Sequence, residues 1–416
     1  TEWPRIRDVG TIDSPDYLMT MHGMFWKFPG NFTSDNAIGI RPRSAYLKVI
    51  GDFTRWNEQL VFGCDDSAQR EFLNKRGLKG GIEGPGQSNS NLWFTDTRLP
   101  DQLGPTTASG AIWLDEMVAA NTPSEPFLFS GWPYRSAWVN NHDEVTVNLK
   151  FETDVAGNGK WSEVRSVQLK PGASEFVTFS DQESGEWVRV ISDAGATLTV
   201  HFSYRDKEDR PSTSHEMFRG LTKVEEDVST GGLLYGLGNE RRALGISVTE
   251  KGKSLGYYEL DSVANLLAKA DSEMKSFIDD KFSIPENVVS VDEASVLVVD
   301  DRNRRWRFPL GNKAYNGLIN QAKLRLCREV ATERDLMNLH GTFYELPAEN
   351  ADGFAKVRPV SSHNFQIHDY ASYRGMLVLT GIDPNRAAGN ERIVVSKDGK
   401  AAVWLGVIDD LWKLGK

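Results

Sequence analysis

The chain has 416 residues, more than one ordinary hydrophobic core supports, so its length predicts either several domains or a large closed array of repeats. Hydrophobic residues make up 39% and aromatic residues 10%, which is enough to build a core and excludes an intrinsically disordered chain. The net charge of −10, with no run of Lys or Arg that forms a basic stripe, argues against nucleic acid as a partner, and no apolar stretch is long enough to span a bilayer.

The N-terminal residues and the cysteines indicate where the protein is located and which cysteine chemistry it can have. The first residues carry no signal-peptide pattern, so we expect the mature form of an exported protein, located in the periplasm or outside the cell. Cys64 and Cys327 are the two cysteines, which excludes a cysteine zinc cluster and a disulfide framework, and whether they pair is left open.

Turn-forming residues separate short apolar runs along the whole chain, which favours strands over long helices. Such turns occur at Pro29-Gly30, Gly157-Asn158-Gly159, Pro171-Gly172, Gly231-Gly232 and Asp398-Gly399. Apolar and polar residues alternate in 145–151 and 197–204, so both segments are predicted strands. Residues 127–205 form the clearest antiparallel run, read as one or two blades or as an inserted, sandwich-like β module. Helical composition is confined to 271–280 and 315–326.

An internal repeat joins the two ends of the chain. The matched pairs, at a nearly constant offset, are Leu18-Met19 with Leu336-Met337, His22-Gly23 with His340-Gly341, Arg41-Pro42 with Arg358-Pro359, and Asp52 with Asp369. A module repeated at both ends has a physical explanation in a β-propeller, where the first and last blades are neighbours and close the ring. We therefore predict an all-β fold, with 1–416 as a single propeller of about seven blades of antiparallel strands. The alternative is two β domains with a boundary near residue 210.

The second copy of the repeat resembles a known group of proteins. The segments 339–347, 357–359, 363–364 and 369–375 are similar to seven-bladed β-propeller glycan enzymes, which include α-L-rhamnosidases and lyases that attack rhamnose linked to glucuronate in plant polysaccharides. Segments 129–135 and 157–161 resemble another module of the same proteins. The resemblance implies chemistry centred on a histidine, at His22 or His340, with no required cofactor. Some members hold a calcium ion in the central channel, which would be a structural ion here.

Three histidines are the candidate catalytic residues: His340, His22 and His363. An imidazole has an ordinary pKa near 6.5 and can accept or donate a proton at neutral pH. The alternative is that a His repeated in both copies only bonds a strand carbonyl.

Candidate substrate-binding residues lie close to these histidines in the sequence. Arg358 and Arg41 could each bind a uronate carboxylate through two hydrogen bonds, or form structural ion pairs with Asp369 and Asp52. Glu345 and Tyr344 occur only in the second repeat, and an exposed strand Glu is usually just solvated. His363, Asn364 and His368 are further polar groups around the second copy.

A Gly-Pro bend supplies the last candidates. Trp132 and Arg135, with Tyr134 between them, could stack on or bind sugar rings, although a Trp at such a place more often fills a core. The glycines of 231–238 lack the Lys-Ser or Lys-Thr ending of a phosphate loop.

The resulting hypothesis is an enzyme that cleaves a glycosidic linkage next to an acidic sugar, such as rhamnose linked to glucuronate, in a plant-type polysaccharide. It would act by His-centred hydrolysis, which is slightly favoured, or by β-elimination. The alternative is a non-catalytic carbohydrate-binding propeller. The expected partner is therefore an oligo- or polysaccharide.

Overall fold

Antiparallel sheets, most of them four-stranded, account for most of the regular structure, which confirms the all-β prediction. The computed structural model describes residues 3–65, 91–207, 216–227, 230–237, 243–321, 323–331, 334–347 and 353–414. Its contacts divide the chain into two units. The first consists of Thr1–Tyr46, Phe53–Val61 and Phe94–Asp209, and the second of Leu47–Asp52, Phe62–Trp93 and Arg210–Lys416.

The chain begins with two sheets whose strands are neighbours in chain order. The first sheet contains β1 (Arg5–Asp8), β2 (Tyr17–Met21), β3 (Met24–Lys27) and β4 (Arg41–Ala45), and the second contains β5 (Val49–Trp56), β6 (Gln59–Asp65) and β7 (Asn91–Thr95). A two-residue turn of His22 and Gly23 joins β2 to β3, with φ angles of 51° and 74°. Positive φ at both positions is typical of a type I′ turn, whose twist matches that of the strands it joins.

The next eight strands form a two-sheet sandwich within the first unit. They are β8 (Thr107–Val118), β9 (Phe127–Leu128), β10 (Tyr134–Asn141), β11 (Val147–Asp154), β12 (Ser162–Leu169), β13 (Ser174–Phe179), β14 (Trp187–Ser192) and β15 (Ala196–Arg205). The sheet orders are β13-β10-β15-β8 and β12-β11-β14-β9. Phe151 of one sheet and Phe202 of the other lie in the same core, with ring centroids 6.4 Å apart. These strands run from Thr107 to Arg205 and include the predicted antiparallel run of 127–205; whether that run is a separate module stays a prediction.

The second unit is built mainly from short meanders. Its elements are β16 (Thr230–Gly236), β17 (Leu244–Glu250), β18 (Lys253–Leu260), β19 (Leu266–Lys269), α1 (Ser272–Phe282), β20 (Val289–Val291), β21 (Val296–Val299), β22 (Arg305–Phe308), α2 (Tyr315–Gln321), β23 (Cys327–Ala331), β24 (Arg334–Leu339), β25 (Thr342–Leu346), β26 (Arg358–Ser362), β27 (Tyr370–Tyr373), β28 (Met376–Leu379), β29 (Ile393–Val395), β30 (Ala402–Gly406) and α3 (Asp410–Leu414). The sheets are β16 to β19, β20 to β22 and β23 to β26 in chain order, and β27-β28-β30-β29. Both predicted helical segments contain helices, and Asp271 caps α1 by accepting a hydrogen bond of 3.0 Å from the Met274 N–H.

The glycines of β16 serve close backbone packing. Gly232 has a φ of 138°, and a Cβ at this position would lie 2.1 Å from the Ser247 carbonyl oxygen of the neighbouring strand. Only glycine fits such an approach. The described glycines of this segment thus have a role in strand packing, and Gly238 lies outside the described residues.

The internal repeat is a three-stranded meander in both copies, β2 to β4 and β24 to β26. The pairing is the same residue for residue, including a register shift between Phe25 and Trp26 in the first copy and between Phe343 and Tyr344 in the second. Sheets with strands in chain order are what propeller blades require. The number of blades and closure of a ring stay predictions.

Candidate functional site

In the first repeat, the two candidate residues lie in different surroundings. His22 is exposed at the tip of its turn. Arg41 forms a bidentate ion pair with Glu186, with Nη2–Oε1 and Nη1–Oε2 distances of 2.5 and 2.8 Å, and Nη1 also donates to Ser130 Oγ at 2.6 Å. Bidentate pairing is the strongest arrangement a guanidinium makes with a carboxylate. Arg41 is therefore committed to a structural contact, with Glu186 rather than with the suggested Asp52.

His340, the equivalent of His22, is only 5% exposed. Its Nδ1 accepts a hydrogen bond of 2.8 Å from the Gly311 N–H, so the proton is on Nε2, which donates to Asn316 Oδ1 at 2.9 Å. Burial lowers the pKa of His340 below its usual 6.5, because a charged imidazole is poorly solvated there. His340 is thus a neutral group with both ring nitrogens engaged.

The structure brings His363 close to His340 through the side chain of Tyr315. The Tyr315 ring centroid is 5.3 Å from that of His340 and 6.1 Å from that of His363. His363 Nδ1 accepts from the Phe365 N–H at 3.2 Å, and Nε2 donates to Asn338 Oδ1 at 3.0 Å. Burial raises the pKa of Tyr315, which stays protonated and lies within 3.0 Å of the Phe365 carbonyl oxygen. This histidine cluster fixes loops to strands by hydrogen bonds.

The remaining candidates of the second repeat also contact each other. Arg358 and Glu345 are register partners on β26 and β25 and form an ion pair through the Arg358 Nε. Tyr344 is buried, which raises its pKa, and its ring packs edge-on against Phe308 at a centroid distance of 5.3 Å. The local carboxylate, rather than Asp369, is thus the partner of the Arg358 Nε.

The Gly-Pro bend places its side chains alternately inside and outside the sandwich. Trp132 is buried against Trp26 and Tyr204, with centroid distances of 5.8 and 5.1 Å. Arg135 is also buried, with its guanidinium 4.3 Å from the Phe129 ring centroid, and burial lowers its pKa. Only Tyr134 is exposed. Trp132 and Arg135 are therefore core residues, for which the structural interpretation fits.

An acidic cleft of about 230 Å³ lies elsewhere in the second unit. Its polar lining consists of Glu225, Glu226, Asp227, Lys251, Gln366 and His368, and helix α2 contributes small and apolar residues. Sequence reasoning named only His368 among these, as a polar neighbour of the second repeat. The run of three carboxylates was the available signal, and such a run is usually just solvated.

His368 has unusual surroundings within this cleft. It is 3% exposed, and among the described residues neither ring nitrogen has a hydrogen-bond partner. Burial lowers its pKa to about 4, against a smaller raising effect of Asp369, so the ring is neutral at pH 7. Gly231 makes room for it, since a Cβ there would lie 1.7 Å from His368 Nδ1. An unpartnered buried imidazole costs free energy unless water or a ligand satisfies it.

The three carboxylates of the cleft are held differently. Glu226 accepts from Arg386 Nη1 at 2.6 Å, and Glu225 accepts from the Asn312 amide. Asp227 is exposed and makes neither a hydrogen bond nor an ion pair through its carboxylate within the described part of the chain. The cleft therefore contains an ion-paired, an amide-bonded and an exposed carboxylate next to a neutral imidazole. Such groups can recognise hydroxyl groups and transfer protons.

The possible metal ligands, the two cysteines and the helices were each compared with the expectations from the sequence. Within the described ranges no group of three or more His, Cys, Asp or Glu side chains is arranged to hold a metal, and the expectation of a structural calcium stays untested. Cys64 and Cys327 are both buried and form no disulfide with each other. No helix in the described segments is both long and apolar enough to cross a bilayer.

Comparison with known proteins identifies no family. No family model matches the chain, and no curated protein matches it either. Among solved structures it is similar to the PBSX exported protein XepA, with 10% identity over 38% of this chain and 75% of that one, at a TM-score of 0.20. It is also similar to a Bacillus endospore appendage of the disulfide-linked pili (15%, 26% and 94%, TM-score 0.19) and to a glycoside hydrolase family 32 protein from Bifidobacterium adolescentis (10%, 67% and 63%, TM-score 0.14). At TM-scores this low, these similarities support no conclusion about fold or function.

Proposed function

We propose that this protein is a carbohydrate-active enzyme that hydrolyses a glycosidic bond in the acidic cleft. The observation that carries the proposal is the row of carboxylates at Glu225, Glu226 and Asp227 beside the buried, unpartnered ring of His368. Carboxylates accept hydrogen bonds from sugar hydroxyls, and a neutral imidazole can both donate and accept one. A sugar bound there would satisfy the ring nitrogens of His368.

The chemistry requires one carboxyl group to protonate the departing oxygen and a second to activate water or to attack the sugar. Asp227 and Glu225 are assigned these two roles, because within the described residues the Asp227 carboxylate makes no hydrogen bond or ion pair, and Glu225 accepts from the neutral Asn312 amide. Glu226 forms an ion pair with the Arg386 guanidinium at 2.6 Å, so it is assigned to binding.

Hydrolysis is proposed rather than β-elimination. Elimination needs a cation on the uronate carboxylate and an accessible base beside it. Arg358 is engaged with Glu345, and both ring nitrogens of His340 are hydrogen-bonded, so neither offers that combination. Lys251 at the cleft is the cation assigned to an acidic sugar, such as glucuronate linked to rhamnose. The imidazole of the cleft, His368, is only 3% exposed, so it is not the accessible base that elimination needs.

The test is incubation with acidic plant and algal polysaccharides, with measurement of released sugar and of the ultraviolet absorbance of unsaturated uronate. We expect released sugar without absorbance. Asp227→Asn and Glu225→Gln should each lower turnover by about a hundredfold, the usual contribution of a positioned acid or base. Glu391→Gln, at an exposed acidic residue outside the cleft, is the matched control and should keep full turnover.

A second variant separates the cleft from the histidine cluster. His340→Asn retains a residue that tolerates the positive φ of 50° at this turn, and the folded protein should keep its activity. Loss of turnover in folded His340→Asn together with full turnover in Asp227→Asn would refute the assignment to the cleft. Binding of an oligosaccharide without any product would instead favour a non-catalytic carbohydrate-binding protein.

A further inference from the structure

One outer surface of the sandwich carries exposed aromatic rings. Along β10 the side chains alternate, with Ala137 and Val139 in the core and Tyr134 and Trp138 outside. Tyr134 is 46% exposed, Trp138 45%, and Phe176 on the adjacent strand β13 61%. Exposed rings of this size cost solvation free energy, and their clustering on one sheet indicates a binding surface.

The strand register arranges this surface in rows. Trp138 is directly opposite Phe176 of β13, and Tyr134 is opposite Arg205 of β15. The row between them is made of hydroxyl side chains: Ser136, Thr178 and Ser203. Four residues of a strand span about 13 Å, so the two aromatic positions on β10 are separated by more than one sugar ring. We call the outward side chains of these three rows the aromatic face.

A shallow cavity of about 280 Å³ lies on the aromatic face, between Tyr134, Phe176 and the row of hydroxyls. This volume is at the lower end of the range for small-molecule sites. Its mixture of flat rings and hydroxyls suits a ligand with apolar C–H faces and many hydroxyl groups.

Arg205 gives the cavity its charge. Its guanidinium lies 4.7 Å from the Tyr134 ring centroid, a cation–π contact that holds it over the sheet. Among the described residues, no carboxylate forms an ion pair with it, and the side chain is exposed. The buried Arg135, which packs in the core, also lines the cavity. A guanidinium presents a planar pair of donors that matches a carboxylate.

We propose that the aromatic face binds a glycan that contains a uronic acid, independently of the acidic cleft and of any reaction there. One sugar ring stacks on Tyr134 or Phe176, its carboxylate pairs with Arg205, and the chain continues towards Trp138. The hydroxyls of Ser136, Thr178 and Ser203 bond the sugar hydroxyls between these contacts.

The test is calorimetric titration of the full chain with an oligosaccharide of galacturonic acid, and with a neutral galactose oligosaccharide of the same length. We expect binding of the acidic ligand, at least tenfold weaker binding of the neutral one, and weakening of acidic binding at high salt. Trp138→Ala and Tyr134→Ala should each weaken binding about tenfold or more. Trp56→Ala, at a Trp of the first unit that is 61% exposed and belongs to another sheet, is the matched control and should bind normally.

Arg205→Gln distinguishes an acidic from a neutral ligand, because it should remove the preference between the two oligosaccharides while leaving the stacking contacts. Equal affinity for both ligands in the wild type, or no binding of either, would overturn the proposal. Self-association that Trp138→Ala abolishes would overturn it as well, in favour of a second copy as the occupant. Binding in an Asp227→Asn variant without turnover would show that the two sites are separate.

Discussion

Replacing Asp369 by Asn should strongly destabilise the second unit. Asp369 is buried and accepts hydrogen bonds from the Leu234 and Tyr370 N–H groups at 2.7 and 2.6 Å. The Arg325 and Arg328 guanidinium groups lie 3.4 and 3.3 Å from its Oδ2. The substitution keeps the shape of the side chain but removes a buried negative charge that pairs with two buried cations.

The size of the effect follows from burial. Removing one partner of a buried ion pair leaves an uncompensated charge and typically costs about 3–5 kcal/mol. The Asn amide would also direct N–H donors at a guanidinium or a backbone N–H. For a unit of 245 residues, such a loss corresponds to a melting temperature lower by roughly 10 °C.

The internal repeat supplies the control, because Asp52 is the exposed counterpart of Asp369 in the first copy. Urea denaturation followed by tryptophan fluorescence measures the free energy of unfolding of both variants. Asp52→Asn should change it by less than about 0.5 kcal/mol. A loss below about 1 kcal/mol for Asp369→Asn would show that the charge between the two arginines is not needed for stability.

Three further predictions concern pH and packing. His368 has a pKa of about 4 in the folded protein and about 6.5 in the unfolded chain, so the unfolded chain is protonated first as pH falls. The free energy of unfolding should therefore decrease by about 3 kcal/mol between pH 6.5 and 4. In denaturation curves, His368→Gln should abolish that share of the pH dependence. Gly231→Ala would force a Cβ into the imidazole and should cost about 1–3 kcal/mol, measurable as a lower melting temperature, and an unchanged value would contradict the close packing. Glu186→Gln should cost about 2 kcal/mol at pH 7, because it breaks the bidentate pair with Arg41, and little at a pH low enough to protonate Glu186. Burial alone would raise the pKa of Glu186, but the Arg41 contacts lower it overall, so this contribution to stability is lost only as pH falls through the lowered value.

The sequence alone predicted those elements whose formation depends on neighbouring residues in the chain. Alternation of apolar and polar residues identified β11 and β15, and helical composition identified α1 and α2. The repeat also predicted equal modules, because a His-Gly pair and its flanking strands specify the same type I′ hairpin wherever they occur.

The two copies of the repeat have different tertiary environments, which could not be predicted from the sequence. His22 is exposed, whereas His340 is buried by a loop that brings the Gly311 N–H to its ring. Arg41 pairs with the carboxylate of Glu186, 145 residues away in the sequence, whereas Arg358 pairs with Glu345 on the adjacent strand. A partner so distant in sequence depends on how whole sheets pack.

Tertiary structure also decided which side chains are available for binding. At the Gly-Pro bend, the strand pleat directs Arg135 into the core and Tyr134 outwards, and a shift by one residue would reverse both. The acidic run of Glu225 to Asp227 has no meaning in the sequence beyond a solvated loop, and it becomes a cleft only because the fold places the buried His368 beside it. Composition and periodicity thus determined the all-β class and many of the strands, whereas burial, charge pairing and the candidate sites arise from contacts between segments far apart in the chain.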